Sequence, residues 1–449
     1  MARPRQLKLG AFLMAPGHHV AAWRHPGAQA DLGADFRGYA AIARQAEAAK
    51  LDLLFVDDVL AVKDTRPATG KRSARSAFFE PLTLMAGLAA VTERIGLTAT
   101  VSTTFHEPYN LARKFASLDL ISAGRAAWNL VTSNTEAEAQ NFSDLPHLRH
   151  ADRYQRAEEF IDVVIGLWNS FDDDAFAHDR TSGVYYDPAK LHVLAHRGRH
   201  FAVRGPLNVR RSPQGHPVIV QAGSSEPGKE LAARTAEIVF TAQQTLADAQ
   251  AFYNDLKSRV ARHGRAPDEL LVMPGIFPVV GRSRQEAQDK FEALQALIDP
   301  AVGIQLLSDM IGGFDLSAYP PDGPVPDLPE TNGGKSRQHL LFELARRDGL
   351  TIIELARRIA GARGHWQVVG TAQDIADQIE ERFTKGGADG FNIMPPTLPA
   401  GLTDFIDLVL PELRRRGLFR IDYEGATLRE NLGLPRPTRR GTDQAQAAE

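Results

Sequence analysis

Short apolar runs alternate with longer amphipathic segments along most of the chain. The short runs predict parallel strands buried on both faces, because such strands are nearly continuous in apolar residues, and the amphipathic segments predict the connecting helices. Eight strands are predicted, at residues 7–14, 51–56, 95–101, 126–131, 218–222, 238–240, 270–280 and 390–394. Helices are predicted at residues 37–50, 81–93, 110–122, 152–168, 229–236, 246–263, 283–298, 351–362 and 371–385.

Eight strands alternating with helices in a chain of 449 residues predict an α/β protein with a (β/α)8 TIM barrel. On the pattern alone, an open doubly wound sheet is the alternative. Insertions follow the second, fourth and seventh strands, at residues 62–79, 171–217 and 299–366. We expect one barrel domain over residues 1–435 and a polar tail over residues 436–449.

The composition is that of an ordinary globular protein. Hydrophobic residues make up 43% and charged residues 24%, and the 52 basic residues form no block against the 55 acidic ones, which argues against a nucleic-acid partner. The absence of cysteine excludes disulfides, thiolate metal sites and a cysteine nucleophile. We find no signal-like segment and no apolar run of the roughly 20 residues that a membrane helix needs, so we expect a cytoplasmic protein with no membrane partner.

Two familiar motifs are incomplete in this sequence. Residues 223–227 (GSSEP) imitate the nucleophile elbow G-x-S-x-G, but proline replaces the last glycine, so a serine hydrolase is poorly supported. His192, His196 and His200 have the spacing of metal ligands on one helical face, but Gly198 interrupts a segment that does not read as helical. We therefore predict no metal site.

Polar and mostly uncharged side chains lie at or just beyond the ends of several predicted strands. In a barrel, the carboxyl ends of the strands and the loops after them carry the chemistry. Hydroxyl and amide groups at these ends suit a large cofactor with many hydrogen-bonding edges better than a pair of acid and base groups. The candidates are Asp58, Thr104, Asn129, Ser224 and Ser225.

The turn that contains Ser224 and Ser225 precedes a predicted helix and has two interpretations. Free N–H groups at a helix N-terminus form a phosphate site, but serines there also act as plain N-caps. His150 and Tyr154 lie one helical turn apart and would reach the same phosphate, unless they are a capping histidine and a surface tyrosine. Asp58 would be a general base, an acceptor for a cofactor hydroxyl or a helix cap.

The first insertion is basic. It carries Lys63, Arg66, Lys71 and Arg72. These side chains would favour an anionic substrate, although an exposed and solvated loop explains them equally well.

Short stretches spread along the chain, in order and with compatible gaps, carry a family likeness. They include residues 22–25 (AWRH), 102–104 (STT), 128–133 (WNLVTS), 147–154 (HLRHADRY), 221–223 (QAG), 387–391 (GADGF) and 428–434 (LRENLGL). Over roughly residues 6–435, the chain resembles the flavin-dependent monooxygenases of the bacterial luciferase superfamily. Within it, the chain is similar to the branch of nitrilotriacetate monooxygenase and dibenzothiophene sulfone monooxygenase.

This resemblance implies a luciferase-like barrel that receives reduced FMN from a separate NAD(P)H:flavin reductase. With O2 it would oxygenate a small organic substrate, with C–S or C–N bond cleavage. The alternatives are a deazaflavin-dependent oxidoreductase on the same barrel and a flavin-binding protein without turnover. The implied flavin contacts are Asp58, Thr104, Asn129, His150, Tyr154, Ser224 and Ser225.

The resemblance also bears on the surroundings of the flavin and on assembly. The insertions at residues 62–79 and 299–366 are the candidate lids, and a homo-oligomer, a dimer or a tetramer, is implied. No catalytic acid or base is assigned. The expected pocket walls are His18, His19, Trp23 and Phe105.

Overall fold

The computed structural model describes residues 5–62, 64–144, 146–327 and 335–438. Its strands are β1 (Lys8–Leu13), β2 (Leu53–Val56), β3 (Gly96–Ser102), β4 (Ala126–Val131), β5 (His196–Arg197), β6 (Ala202–Val203), β7 (Val218–Gln221), β8 (Ile238–Val239), β9 (Leu271–Val272), β10 (Gly275–Val280), β11 (Trp366–Gly370) and β12 (Gly390–Ile393). Ten of them form one curled sheet in the order β11-β10-β12-β1-β2-β3-β4-β7-β8-β9, whose pairs are all parallel. β5 and β6 form a separate antiparallel pair.

Backbone hydrogen bonds on both sides of β9 and β10 close this sheet into a barrel. On one side the Met273 N–H donates to the Val239 carbonyl at 2.8 Å, and on the other the Asn392 N–H donates to the Pro274 carbonyl at 3.0 Å. β12 in turn pairs with β1. The ring therefore contains eight strands, with β9 and β10 counted as one, which confirms the predicted (β/α)8 barrel.

Two details of the sheet differ from the prediction. The strand predicted at residues 270–280 is interrupted at Met273 and Pro274, so it pairs with β8 through its first part and with β12 through its second. β11 was not predicted, and it pairs with β10 from outside the eight-stranded ring.

The helices cover the outside of the barrel and begin at side-chain caps. Asp35, Thr245, Ser283 and Thr371 each accept a backbone N–H at the start of a helix, which satisfies donors that the helix leaves free. The helices are α1 (Phe36–Ala48), α2 (Pro81–Ala89), α3 (Pro108–Ile121), α4 (Glu136–Ala139), α5 (His150–Trp168), α6 (Glu226–Thr235), α7 (Leu246–Arg262), α8 (Arg284–Ala296), α9 (Pro300–Met310), α10 (Lys335–Asp348), α11 (Ile352–Ile359), α12 (Ala372–Thr384), α13 (Ala400–Asp404), α14 (Leu410–Arg415) and α15 (Leu428–Leu432). No helix in the described ranges is both long and apolar enough to cross a membrane.

Apolar side chains fill both the interior of the barrel and the layer between strands and helices. Inside, the rings of Phe12 and Phe55 stack with centroids 4.6 Å apart, and Phe240 packs edge-on against both. Outside, Trp128 is fully buried between strands and helices against Phe160. The aromatic trio of Phe12, Phe55 and Phe240 places an apolar surface near the carboxyl ends of the strands.

The third predicted insertion has a core of its own. α9, α10 and α11 pack through a separate apolar cluster that includes Leu307, Leu341 and Leu355. The segment also ends in β11 rather than in a loop, since Trp366 is the first residue of that strand. Part of the loop in this insertion, residues 328–334, lies outside the described residues, as do Lys63 in the first insertion and residues 439–449 of the predicted tail.

Candidate active site

A cavity of about 1270 Å³ opens at the carboxyl ends of the strands. The aromatic trio forms its apolar wall, and the polar residues that follow β2, β4, β7 and β8 form the rest. Six of the seven predicted site residues line it, although they come from distant parts of the sequence. They are Asp58, Asn129, His150, Tyr154, Ser224 and Ser225.

One end of this cavity is formed by the small residues 223–225 directly before α6, hereafter the serine turn. Ser225 caps the helix by accepting the Gly228 N–H at 3.3 Å, and its hydroxyl also lies 3.5 Å from the Tyr154 hydroxyl. A Cβ atom at Gly228 would lie 2.9 Å from the Tyr154 hydroxyl and 3.1 Å from Ser225 Oγ, so only glycine fits there without a shift. Two hydroxyls and a helix N-terminus make this end of the cavity suitable for an anion.

His150 and Tyr154 meet at this same end. They occupy the first two turns of α5, and their ring centroids are 4.9 Å apart. Ser224 also lines the cavity, and its hydroxyl lies 3.2 Å from Thr241 Oγ1 at the end of β8. Tyr154 therefore contacts the serine turn directly, and His150 packs against Tyr154.

Farther into the barrel, two buried amides present oxygens to the cavity. The Asn129 Nδ2 donates to Thr100 Oγ1 at 2.9 Å, but Asn129 Oδ1 has no hydrogen-bond partner in the described structure. Gln221 Oε1, at the end of β7, is likewise buried without a described partner. A buried carbonyl oxygen without a donor is costly, so both positions suit a ligand that brings N–H or O–H groups.

Asp58 lies in an acidic neighbourhood of the cavity. Burial, together with the charges of Glu80, Asp57 and Glu138, raises the pKa of Asp58 to about 7. This carboxyl is therefore poised to change its charge near neutral pH. The geometry allows both a proton-exchanging group and a hydrogen-bonding partner for a bound cofactor.

Thr104 differs from the other predicted site residues. Its hydroxyl donates to the Thr132 carbonyl at 2.7 Å, and the residue is only 9% exposed. Thr104 does not line the cavity, although Thr132 does. Its link to the site runs through the loop after β4.

A second chamber of about 640 Å³ adjoins the first. The two share Phe12, Phe240, Asp57, Arg337 and His365. His365 stacks on Phe240 with ring centroids 4.8 Å apart, so this wall is continuous. Most of the remaining lining comes from the loops after β1, β2 and β4 and from the third insertion.

The sequence did not single out Gln221, Arg337 or His365 as site residues. Gln221 was visible as a polar residue at a strand end. Arg337 and His365 belong to a segment whose sequence reads as a loop and a helix, and only the position of β11 shows that His365 directly precedes a strand.

The four expected pocket walls lie outside both chambers. His18 and His19 are buried, and burial, helped by nearby cationic groups, lowers the pKa of His18 to about 3 and of His19 to about 4. Trp23 is 36% exposed. Phe105 stacks on Phe142. Their rings support the surrounding loops instead of lining either chamber.

Two basic residues of the first insertion and two of the spaced histidines are held by acidic partners. Arg66 pairs with Asp64, and Arg72 with Asp299, while both side chains remain 49% exposed. This arrangement matches the solvated-loop interpretation. His192 lies 3.2 Å from Asp172, and His196 lies 3.0 Å from Glu159. No group of three or more metal-ligating side chains comes together in the described ranges.

Comparisons with known proteins agree with this architecture. A family model described as luciferase-like monooxygenase matches residues 14–390. The chain is 51% identical over 442 residues to N-acetyl-S-(2-succino)cysteine monooxygenase of Bacillus subtilis (strain 168), covering 98% of this chain and 99% of that protein. It is 51% identical over 445 residues to nitrilotriacetate monooxygenase component A of Aminobacter aminovorans, covering 97% and 98%.

A solved structure shows the same likeness in three dimensions. A crystal structure of riboflavin lyase with modified FMN and riboflavin superposes with a TM-score of 0.88 at 33% identity, covering 97% of this chain and 98% of that one. The expected branch is confirmed by the match to nitrilotriacetate monooxygenase. The chain belongs to the luciferase-like monooxygenase family of enzymes.

Proposed function

We propose that this chain is the oxygenase of a two-component system, which takes reduced FMN from a separate NAD(P)H:flavin reductase and uses O2 to oxygenate a small organic substrate. The observation that carries this proposal is the serine turn beside Gly228, which forms an anion cradle at one end of a 1270 Å³ cavity. Support for a separate reductase comes from the relative named as component A, a designation that implies a further component.

The residues of the cavity fit FMN in their chemistry and in the order in which they lie from the serine turn to the inner end. The phosphate would lie at the serine turn, within reach of Ser224, Ser225, Tyr154 and His150. Farther in, the unpartnered oxygen of Asn129 would accept a hydrogen bond from the ribityl chain or the ring.

At the inner end of the cavity, the isoalloxazine would lie against the aromatic trio, with Asp58 nearby. Thr104 would act indirectly, by holding the Thr132 carbonyl in the loop that lines the cavity.

The chain's own tasks are to bind, to orient and to keep water out. Reduced FMN, when bound, supplies the electrons that activate O2 for oxygen transfer. Asp58, with a pKa of about 7, would hold or release a proton near the bound ring. Arg337, Leu340 and Glu343 of the third insertion line the cavity, and we propose this insertion as the lid.

The substrate is a small organic compound, and we propose C–S or C–N bond cleavage as the outcome. The compounds named for two relatives, N-acetyl-S-(2-succino)cysteine and nitrilotriacetate, contain C–S and C–N bonds respectively. A homo-oligomeric assembly stays a prediction.

Anaerobic titration with reduced FMN tests the proposal. We expect tight binding in the wild type, and about tenfold weaker binding in Ser225→Ala and in Tyr154→Phe, as the loss of one hydrogen bond to a charged group predicts. Ser283→Ala is the matched control, because Ser283 caps α8 in the same way but does not line the cavity.

Two further results would decide between the alternatives. If the wild type binds no reduced FMN, the flavin assignment is wrong. If it binds a reduced deazaflavin instead and turns over without O2, it is a hydride-transferring oxidoreductase. With a flavin reductase and NADH, we expect O2 uptake that yields product and little hydrogen peroxide once a substrate is present.

A further inference from the structure

Three arginines from two insertions converge on the second chamber. Arg75 comes from the first insertion, and Arg337 and Arg363 come from the third. The guanidinium groups of Arg75 and Arg363 both contact the sulfur of Met14, and Arg337 donates to the Arg363 carbonyl. Arg337 also lies 3.3 Å from His365 Nε2. The three cations therefore form one cluster, hereafter the arginine cluster.

None of these arginines forms an ion pair with an acidic side chain of the described chain. Their neighbours in the same insertions behave differently, since Arg66 pairs with Asp64 and Arg72 with Asp299. The partners of the cluster are carbonyl oxygens, a thioether and an imidazole. Half-buried cations without an ion pair are only partly solvated, so a cluster of them suggests an anion that arrives from outside the chain.

Arg363 carries the strongest signal within the cluster. Its Nε is buried and has no hydrogen-bond partner in the described structure. Burial lowers the pKa of Arg363 and of Arg337 to about 10, and the charge of Asp57 partly opposes this at Arg363. Both guanidinium groups remain protonated at neutral pH, and they are only partly solvated.

The backbone conformation of Arg363 also suggests a ligand-binding position. Its φ of +51° lies in the left-handed region, which non-glycine residues rarely adopt. Such strain persists where the surrounding structure requires it, often at ligand-binding positions. Here the conformation accompanies a side chain that lines the chamber next to the flavin cavity.

Acidic groups also line this chamber, and two of them are already engaged. Asp309 lies 3.5 Å from Arg66, and Glu136 accepts the His147 N–H at 3.3 Å. Asp57 acts on Arg363 through its charge, and no ion pair joins these two residues in the described structure. The described acids of this chamber therefore leave the three arginines without an ion-paired partner.

We propose that the arginine cluster binds carboxylate groups of the substrate, so that the substrate is a small organic anion with at least two carboxylates. The inference rests on the proposed function and names its substrate class. Guanidinium groups match carboxylates in a bidentate geometry, and three of them accommodate more than one. Because the chambers share Phe240 and His365, a substrate held there lies next to the place proposed for the flavin ring.

The competing use of the cluster is to bind the phosphate of FMN. Arg337 lines both chambers, so it is the member that this alternative would recruit first. Arg75 and Arg363 line the second chamber but not the first, which favours the substrate.

Calorimetric titration of the full chain with small probes tests the proposal. The probes are thiodiglycolate and iminodiacetate, which are dicarboxylates around a sulfur or a nitrogen atom, and the dimethyl ester of thiodiglycolate as the uncharged match. Each is titrated anaerobically with and without reduced FMN, into the wild type, Arg363→Gln, Arg337→Gln and Arg113→Gln. Arg113 is an exposed arginine on α3 and serves as the control.

We expect at least one dicarboxylate to bind the wild type and to bind at least tenfold more weakly to Arg363→Gln and Arg337→Gln. Arg113→Gln should match the wild type, and the diester should bind weakly to all four proteins. In Arg363→Gln, whose side chain does not line the cavity proposed for the flavin, affinity for reduced FMN should change less than threefold. If Arg363→Gln does not fold, Arg363→Lys keeps the charge but not the fork and should give an intermediate loss.

Three results would overturn the proposal. The first is that neither dicarboxylate binds the wild type, and the second is that both arginine variants bind them like the wild type. The third is that the variants lose reduced FMN and not the dicarboxylate, which assigns the cluster to the cofactor. Failure of the wild type to bind reduced FMN would instead refute the proposed function, and the titrations without FMN still report on the cluster.

Discussion

The two ends of the barrel differ in how their buried charged and polar groups are partnered. At the amino ends of the strands, Arg125 makes hydrogen bonds to four backbone carbonyls and to the Thr92 hydroxyl, and Arg429 holds Glu237 in a buried pair. At the carboxyl ends, Asn129 Oδ1 and Arg363 Nε are buried without partners in the described structure. Arg94 Nε and Arg420 Nη1, near the amino ends, are also buried without partners, but Arg420 is paired with Asp52, whereas Asn129 and Arg363, at the carboxyl ends, each line one of the two chambers. Unpartnered atoms beside a cavity are the ones that a ligand can satisfy.

The amino ends of the strands, hereafter the paired end, also explain part of the family likeness. Residues 428–434 are one of the stretches that carry the family likeness, and Arg429, like Arg125, does not line the cavity. α15 lies across the amino ends of the strands, where Arg429 donates to the carbonyls of Gln214, His216 and Pro435. This stretch therefore supports the fold, whereas the stretches at residues 128–133 and 147–154 contribute to the lining of the cavity.

The largest effect that we expect comes from breaking the paired end. Arg429→Met removes a side chain that is 1% exposed and leaves Glu237 buried without its cation. Breaking a buried pair from one side should lower the free energy of unfolding by about 3–5 kcal/mol. Urea denaturation measures this change.

The control for that substitution is Arg436→Met. Arg436 pairs with Asp173 near the surface, with both side chains about half exposed, so its loss should cost about 1 kcal/mol or less. If Arg429→Met costs no more than Arg436→Met, the paired end does not hold the fold as we describe. In either variant, the fraction that remains folded should bind reduced FMN normally.

The second effect concerns the cradle at the other end. Gly228→Ala places a Cβ 2.9 Å from the Tyr154 hydroxyl and should displace it from the serine turn. We expect affinity for reduced FMN to fall about 100-fold, close to 2.7 kcal/mol, with little change in Tm. Anaerobic titration measures the affinity.

Gly303→Ala is the matched control for this change. A Cβ there meets only Ile298 and Ala356 at 3.4 Å and 3.7 Å, which are ordinary contacts. Equal affinity for FMN in Gly228→Ala and the wild type would mean that the phosphate does not lie at the serine turn.

The strands were predictable because parallel strands covered on both faces are apolar at every position, as in β2 and β7. β11 was missed because its buried residues alternate with half-buried ones and it follows a helix-like insertion. The strand-end polar residues were predictable from the barrel itself. The arginine cluster was not predictable, because the sequence does not distinguish a half-buried arginine without an ion pair from a solvated and paired one such as Arg66.

The third effect depends on pH. The pKa of Asp58 is raised to about 7 in the folded protein by burial and neighbouring acids, so the folded state binds this proton more tightly than the unfolded state. The free energy of unfolding therefore decreases as pH rises from about 4, the ordinary pKa of an aspartate, to about 7. Asp58→Asn should be more stable than the wild type by about 2 kcal/mol above pH 8, after allowance for solvent screening, and equal to it below pH 4.

Asp374→Asn should show the opposite sign. A hydrogen bond from Arg284 keeps the pKa of Asp374 below its usual range, so this substitution should destabilise at neutral pH and become harmless in acid. Identical pH profiles for the two variants would contradict the environment that we assign to Asp58. Thermal melts at about pH 2, 4, 6 and 9 measure both, because the contribution of Asp374 is lost only below about pH 4 and that of Asp58 changes between about pH 4 and pH 7.

The smallest effect distinguishes direct from indirect contact with the flavin at Thr104. Its hydroxyl is already committed to the Thr132 carbonyl at 2.7 Å, so Thr104→Val should cost about 1 kcal/mol of stability and less than a threefold change in affinity for reduced FMN. Thr104→Ser keeps the hydroxyl and should restore most of the stability. A tenfold loss of FMN affinity in Thr104→Val, restored in Thr104→Ser, would show that the hydroxyl turns to the flavin when it binds. That result would make Thr104 a direct contact of the flavin and not only a support for the Thr132 loop, because its hydroxyl would exchange the Thr132 carbonyl for an acceptor on the flavin when the flavin binds.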